Sequence, residues 1–403
     1  MDGLILTNDR LLYRPRSGVA VYLANVLAHW PADARLRPQG LRARKTHQNG
    51  TCSSDAPGMG AGPANAPSRG AWGGRIALTT LRALVTTNRP HVGFPFALRR
   101  MHGWYQDRAM RAGAARDRFA AVFEPNCLAA ETGLPTVATM HDLSVIEHPN
   151  WHPASRVRQW EQRLNRSLRA TDHWIAVSRF TAERMAQLLG IGSTPVSVVP
   201  LAPRPLPYPG EDDVAAARAA SGLPDRYFLA LGNLEPRKNL GVLLDAYARL
   251  PPIVQRTHHL VIAGRPSWGD PRFWRRLAEH PISDRVLATG FVSDEQAAVL
   301  LAATDAVLVP SHYEGFGLPI LEAMACARPT VCSDIPTFRE VAADAALHVD
   351  PGDPAAWCSA LFRLADDPVF AAELGQRGQC RARAYCWPRT SRSHAEVFEQ
   401  LTT

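Results

Sequence analysis

The sequence predicts an α/β protein made of two doubly wound domains. Two observations predict it. Short apolar runs alternate with helical stripes along most of the chain, and a proline-rich stretch from Pro200 to Pro224 divides that series once. Alternation of strand and helix implies a parallel sheet covered on both faces. A chain of 403 residues has room for two or three such units.

The elements come in order along the chain. Residues 4–7 read as a short first strand. After Gly18, the apolar residues Val19, Tyr22, Leu23, Val26, Leu27 and Trp30 fall on one helical face. From Pro31 to Gly74 the pattern dissolves into small and breaking residues, which predicts a long loop or insertion with no visible second strand. The Gly-x-Gly between Gly58 and Gly62 lacks a preceding strand, and Pro63 stands where a helix would start, so it is no dinucleotide loop. Order returns near residues 81–85 and in an arginine-rich helical stretch over 99–118. Strands are expected at 120–123, 136–140, 174–177 and 197–200, with a helix near 155–168 and another capped by Ser178. In the second half, strands are expected at 227–231, 259–263, 286–288, 306–309 and 330–332. The leucines Leu240, Leu243, Leu244 and Leu250, with Tyr247, form a helical stripe between the first two. Ser293 and Gln296 have the spacing of a capping box.

Composition narrows the function classes. Hydrophobic residues make up 46% and charged residues 20%, which excludes a chain disordered throughout. No uncharged apolar run approaches the ~18 residues of a membrane span, and the first residues lack the basic start of a signal peptide. A cytoplasmic protein is expected. The 45 basic residues exceed the 37 acidic ones, a net charge of +8. That excess favours anionic partners, and Arg99, Arg100, Arg108, Arg111, Arg116 and Arg118 suggest peripheral contact with an anionic membrane. Seven cysteines without a Cys-x-x-Cys spacing read as reduced thiols rather than a disulfide or zinc framework.

In an open parallel sheet, ligands lie beyond the carboxyl ends of the strands, so the residues just past each strand carry the chemistry. Arg237 and Lys238 come after the 227–231 strand where a helix is expected to begin, and side-chain charge there adds to free backbone N–H groups, a combination suited to a diphosphate. A solvated surface pair is the plain alternative. After the 306–309 strand, Gly315 and Gly317 hold off a helix until about Leu318, and Pro319 suits its first position. Glu314 then lies on the loop and Glu322 on the first helical turn. Carboxylates there read hydroxyl pairs of a sugar or ribose, although a surface carboxylate and simple complementarity to the helix dipole explain them equally well. His141 follows the 136–140 strand and faces the same cleft, although a lone histidine is more often structural than catalytic. Gly18 precedes a helix, a natural phosphate contact.

These residues resemble a family. The spacing from Glu314 to Glu322 is similar to the E-x7-E element of retaining glycosyltransferases of family 4, which have the GT-B fold. The stretches Ser311–Pro319, Glu235–Asn239, Gly290–Val292 and Ser333–Pro336 resemble that family as well, and in the first half so do Gly18, Thr139–Leu143 and Val177-Ser178. The resemblance implies two Rossmann-like domains facing a central cleft. The acceptor-side domain would span 1–203, with 31–74 as its loop and a returning C-terminal helix at 388–403. The nucleotide-sugar domain would span 204–387. Arg237 and Lys238 would hold the donor diphosphate, Glu322 the ribose, and Glu314 the transferred sugar. Phe316, Gly317 and Leu318 would supply contacts around that sugar, Val292 would meet the base, Gly18 would approach the diphosphate, and His141 would lie near sugar and acceptor. Where many relatives carry an arginine after the phosphate-loop glycine, this chain has Asn233.

The implied reaction moves a hexose from a nucleotide sugar to a glycan or lipid-linked acceptor with retention of configuration. A front-face route is expected, in which the leaving phosphate takes the acceptor proton. No metal or other cofactor is expected, because protein cations face the leaving group and no Asp-x-Asp comes after a strand; Asp212-Asp213 lies in the proline-rich stretch. No nucleic-acid partner is expected. Residues 139–144 and 148–153 are similar to bacterial mannosyltransferases of polysaccharide assembly, which makes GDP-mannose the first reading of the donor and a UDP-sugar the second. A nucleotide-sugar epimerase and a non-catalytic partner subunit share the fold. The paired glutamates argue against the first, and their retention with Arg237 and Lys238 argues against the second.

Overall fold

The structure, a computed structural model, describes residues 3–8, 18–40, 107–115, 119–265 and 271–402. These hold two six-stranded sheets, each parallel throughout. In the first, β1 (Gly3–Thr7), β2 (Leu36–Gly40), β3 (Phe119–Glu124), β4 (Thr136–Met140), β5 (His173–Ala176) and β6 (Val196–Val198) take the order β2-β1-β3-β4-β5-β6. In the second, β7 (Tyr227–Leu231), β8 (His259–Ala263), β9 (Val286–Gly290), β10 (Ala306–Val309), β11 (Thr330–Ser333) and β12 (Leu347–Val349) take the order β12-β11-β10-β7-β8-β9. The central strands β4, β5 and β10 are buried at every position. That is why they read as unbroken apolar runs rather than alternating ones.

Two strands depart from the sequence reading. β2 lies inside the expected loop, paired with β1 from Gly3↔Leu36 to Thr7↔Gly40. Its sequence, Leu-Arg-Pro-Gln-Gly, offers one buried side chain and a proline, which an edge strand tolerates and a central one does not. β12, not expected from the sequence either, is also an edge strand and only three residues long. Residues 41–74, the 81–85 segment, and Arg99, Arg100, Arg116 and Arg118 lie outside the described residues; Arg108 and Arg111 sit on a helix over 107–115.

The stretch after β6 is not a free linker. Val199, just before its first proline, and Leu201, Ala202 and Leu206 between its prolines are buried and join the core that both sheets share. The last helix, Trp387–Leu401, packs back onto the first sheet. Its His394 donates from Nδ1 to the Thr390 carbonyl (2.7 Å), so Nε2 accepts from the Tyr22 hydroxyl (2.6 Å), which in turn accepts from Thr139 (2.7 Å). Burial pushes His394 down to about 4, so the ring stays neutral and can play both parts. Ser391 donates to the Val26 carbonyl, and Phe398 packs edge-on to Phe123.

The two sheets meet through the loop after β10. The Gly315 carbonyl accepts from Ser178 (2.7 Å) and Thr181 (3.1 Å) of the first half, while Tyr313 donates to Glu147 (2.8 Å). The helix Arg179–Leu188 takes part of its cap from the other half: the backbone N–H groups of Arg179 and Phe180 donate to the two oxygens of Glu340. A Cβ on Gly315 would stand 1.7 Å from the His141 carbonyl oxygen. That neighbour is backbone and cannot rotate away. Gly315→Ala is therefore expected to cost about 1–3 kcal/mol or more, read as a lowered melting temperature together with loss of activity. An unchanged melting temperature would show that the loop does not make this contact.

Candidate active site

Topology concentrates the chemistry. In the second sheet the strand order reverses between β7 and β10, and a doubly wound sheet binds ligands in the crevice at such a point. The loops after β7 and β10 carry Arg237 and Lys238, and Glu314. Between them lies a shallow cavity lined by Gly232, Asn233, Lys238, Pro310 and Ser311. Gly232 and Gly264 have φ of 141° and 154°, and a Cβ on Gly264 would overlap the Gly232 carbonyl oxygen at 1.8 Å. Only glycine lets these two strand ends run that close.

Arg237 and Lys238 do not stand at an α-helix start. They end a 3-10 turn, Pro236–Lys238, and the α-helix Leu240–Ala248 begins after Asn239, whose φ is 51°. The turn aims both cations back at the loop after β10. Arg237 binds Glu314 Oε2 at 2.5 Å and Glu235 Oε2 at 2.9 Å, and donates to the Tyr313 carbonyl at 3.2 Å. Lys238 donates to Glu314 Oε1, which also accepts from Ser311 at 3.0 Å. Burial alone would raise the Glu314 carboxyl, but Arg237 and Lys238 outweigh it and hold it at about 2. Burial would likewise depress Arg237, yet Glu314, Glu235 and Asp142 push it above its ordinary range. Asp142 comes from the first half: burial works to raise it, and the Arg237 charge leads the effects that bring it below its ordinary value.

Glu322 is not on the first turn. The helix runs Leu318–Ala325 behind a Gly317 N-cap with φ of 110°, so Pro319 is its second residue and Glu322 its fifth. Dipole complementarity within the first turn therefore does not account for it. Its side chain is 3% exposed and is gripped by Arg204, Nε to Oε1 at 2.5 Å and Nη2 to Oε2 at 2.8 Å. Phe316 is buried, and Leu318 half-buried at the helix start.

His141 comes directly after β4, half-buried, its ring 4.9 Å from that of Tyr22 and nearly perpendicular to it. Its Nε2 donates to the Pro125 carbonyl at 2.9 Å, which leaves the Nδ1 lone pair as an acceptor. Burial lowers its affinity for a second proton. Gly18 is the exposed first residue of the helix Gly18–Ala28, with open space where a Cβ would project. Val292 comes after β9, just before the capping box of Ser293 and Gln296, which the structure forms.

The structure thus brings Glu314, Arg237, Lys238 and, through Gly315, His141 into one contiguous region, with Glu322 behind it on the helix. Two contributors escape sequence reading, and a third, Asp142, is legible only as part of the Thr139–Leu143 stretch, with no role of its own. Arg204 hides in the proline-rich stretch, where its only signal is that it is a lone cation between prolines. Asp142 stands beside His141, and Glu340 gives no local sign of the helix it caps.

Glu314 sets the sign of the pH dependence. Its folded carboxyl sits below the ordinary value of 4.5, at about 2. The stabilisation is therefore complete above pH 4.5 and fades as pH falls toward 2, a change on the order of 3 kcal/mol. At pH 7, Glu314→Gln is expected to cost ~3–5 kcal/mol, because two buried cations lose their partner. The gap in denaturant midpoint between wild type and variant should narrow below pH 4.5. A gap that stays constant down to pH 3 would rule out the ion pairs.

Comparison with known proteins gives this arrangement a family. Residues 213–381 match the family described as glycosyl transferases group 1, and residues 71–202 match glycosyltransferase family 4. The O-antigen chain mannosyltransferase B of Escherichia coli is 31% identical over 274 residues, which cover 66% of this chain and 70% of that protein. The MMP alpha-(1->4)-mannosyltransferase of Mycolicibacterium hassiacum is 30% identical over 314 residues, covering 73% of this chain and 74% of that one. Among solved structures, HepE of Anabaena in complex with UDP and glucose aligns with a TM-score of 0.67 at 17% identity, over 99% of this chain and 100% of that one. Two parallel sheets with their switch-point loops, the family matches, and relatives 30–31% identical over the aligned residues make this chain a member of glycosyltransferase family 4, an enzyme of the GT-B fold.

Proposed function

We propose that this glycosyltransferase moves mannose from GDP-mannose to a glycan or lipid-linked acceptor, with retention of configuration. The observation that carries a nucleotide-sugar donor is the placement of Glu314 and Glu322. Eight residues apart, one lies on the loop at the switch point beside two cations, and the other is buried in the helix that loop starts. Two mannosyltransferases among the relatives support mannose. A UDP-sugar is the second reading, favoured by the UDP and glucose bound to HepE.

In this reading, Lys238 and the backbone N–H groups at the start of the Leu318–Ala325 helix meet the diphosphate, whose charge grows as the glycosidic bond breaks. Arg237 already makes three bonds to protein. Its part is to hold Glu314 in place while adding positive potential. Glu314 faces a hydroxyl of the transferred sugar, Glu322 the ribose, and His141 Nδ1 accepts from a sugar or acceptor hydroxyl. The acceptor O–H attacks from the face the diphosphate leaves, and its proton passes to the departing phosphate oxygen.

The two glutamates separate in a calorimetric titration. Glu322→Ala should weaken GDP and GDP-mannose alike by roughly ten- to a hundredfold, the worth of a charge-assisted hydrogen bond. Glu314→Ala should leave GDP nearly unaffected while lowering GDP-mannose binding or turnover. Equal loss of GDP in both variants, or in neither, overturns the assignment. Because protein groups face the leaving diphosphate, transfer is also expected to persist in EDTA; activity lost there and restored by magnesium or manganese defeats that part of the reading.

A further inference from the structure

Glu322 raises a problem that its own helix does not solve. A carboxylate this covered has no water to solvate its charge, and a buried charge without a partner is costly. Arg204 answers it with a parallel pair of bonds, 2.5 and 2.8 Å, the fork geometry that fixes a carboxylate's plane as well as its charge. The arginine itself is held. It stands between Pro203 and Pro205, each with a fixed φ. The Pro203 carbonyl accepts from the Trp387 indole at 2.9 Å, and the Arg204 carbonyl accepts from the Leu206 N–H at 2.9 Å. Its remaining nitrogen lies 3.4 Å from Asp294, two residues beyond Val292. One guanidinium therefore links the chain that joins the two sheets, the Glu322 carboxylate and the first residue of the helix that follows β9.

We propose that Arg204 is a positioning residue for recognition of a nucleoside diphosphate: it holds the Glu322 carboxylate in a fixed plane so that its two oxygens accept the two hydroxyls of a ribose. This rests on the ribose reading of Glu322 given above. A carboxylate has about four lone-pair sites. The fork takes two of them, one on each oxygen, and one on each remains for the vicinal diol. The carboxylate's orientation is then set before the nucleotide arrives, and little ordering is left to do on binding.

The test measures preference for a ribose diol. Wild type, R204A, R204K, E322Q and the double variant R204A/E322Q are titrated with GDP and 2′,3′-dideoxy-GDP, with the uridine pair in parallel. Wild type should prefer the diol by roughly ten- to a hundredfold. R204A should lose most of that preference while binding the dideoxy nucleotide as wild type does. R204K, which keeps the charge but not the fork, should fall between, and the double variant should be no worse than E322Q. A role in folding alone would weaken both nucleotides together. Undiminished preference in R204A, or equal loss for both nucleotides, overturns the inference while leaving Glu322's role standing. A wild type without preference, or an E322Q variant that keeps it, removes the ribose reading itself and the inference with it. If R204A does not fold, R204K decides: reduced preference supports the positioning role and unchanged preference rejects it.

Discussion

Glu314 is the interaction on which the site turns. Its carboxylate is buried, and a buried carboxylate survives as a charge only when it is paired and hydrogen-bonded. Arg237, Lys238 and Ser311 together satisfy that condition. The pairing joins the loop after β7 to the loop after β10, the two strand ends that flank the switch point of the second sheet. Removing Glu314 leaves two cations without that partner in a low-dielectric region. The loops therefore stand or fall together, and the positions of the Gly317 cap and the helix behind it depend on theirs. The Thr337 hydroxyl, donating to the Glu314 carbonyl at 2.7 Å, fixes the same loop from the side of the next helix.

That constraint reaches the first sheet because the loop has two faces. One carries the charges; the other, at Gly315, lies against the backbone of His141. Asp142, next in the chain, adds its negative charge to the surroundings of Arg237. Residues from two separate sheets thus share one electrostatic balance: two cations, Arg237 and Lys238, set against Glu314, Glu235 and Asp142. Arg237 and Asp142 in that set are each held by a charge from the other half of the chain.

How much of this is legible in the sequence depends on whether a signal is local. β4, β7, β8 and β10 are readable to the residue, because strands buried on both faces need apolar side chains at consecutive positions. Ser293 with Gln296 is readable because a capping box is closed within four residues. β2 is not, since an edge strand needs few buried side chains and can hold Pro38. Residue types place the start of the Leu318–Ala325 helix one residue late and stretch its first turn to include Glu322, because the left-handed φ of Gly317 that sets the boundary is not visible in them. Arg204 shows the deeper limit. Prolines on both sides make it look like linker, and nothing within ten residues announces Glu322, its partner 118 positions away. A charge pair is legible only after the fold has brought its members together.

The prolines that hide Arg204 also explain how it can serve a binding site from outside both sheets. A flexible segment would lose conformational entropy each time its arginine was fixed against Glu322. Pro203, Pro205, Pro207 and Pro209 have removed much of that freedom already in the unfolded chain, and Leu201, Ala202 and Leu206 anchor the segment in the shared core. The chain returns to the first sheet beside it, where Trp387 binds the Pro203 carbonyl. Both passages between the sheets are thereby tied together next to the arginine that grips Glu322. Any movement of one sheet relative to the other must act on that tie, so the carboxylate read as the ribose contact sits where the geometry of the whole enzyme is set.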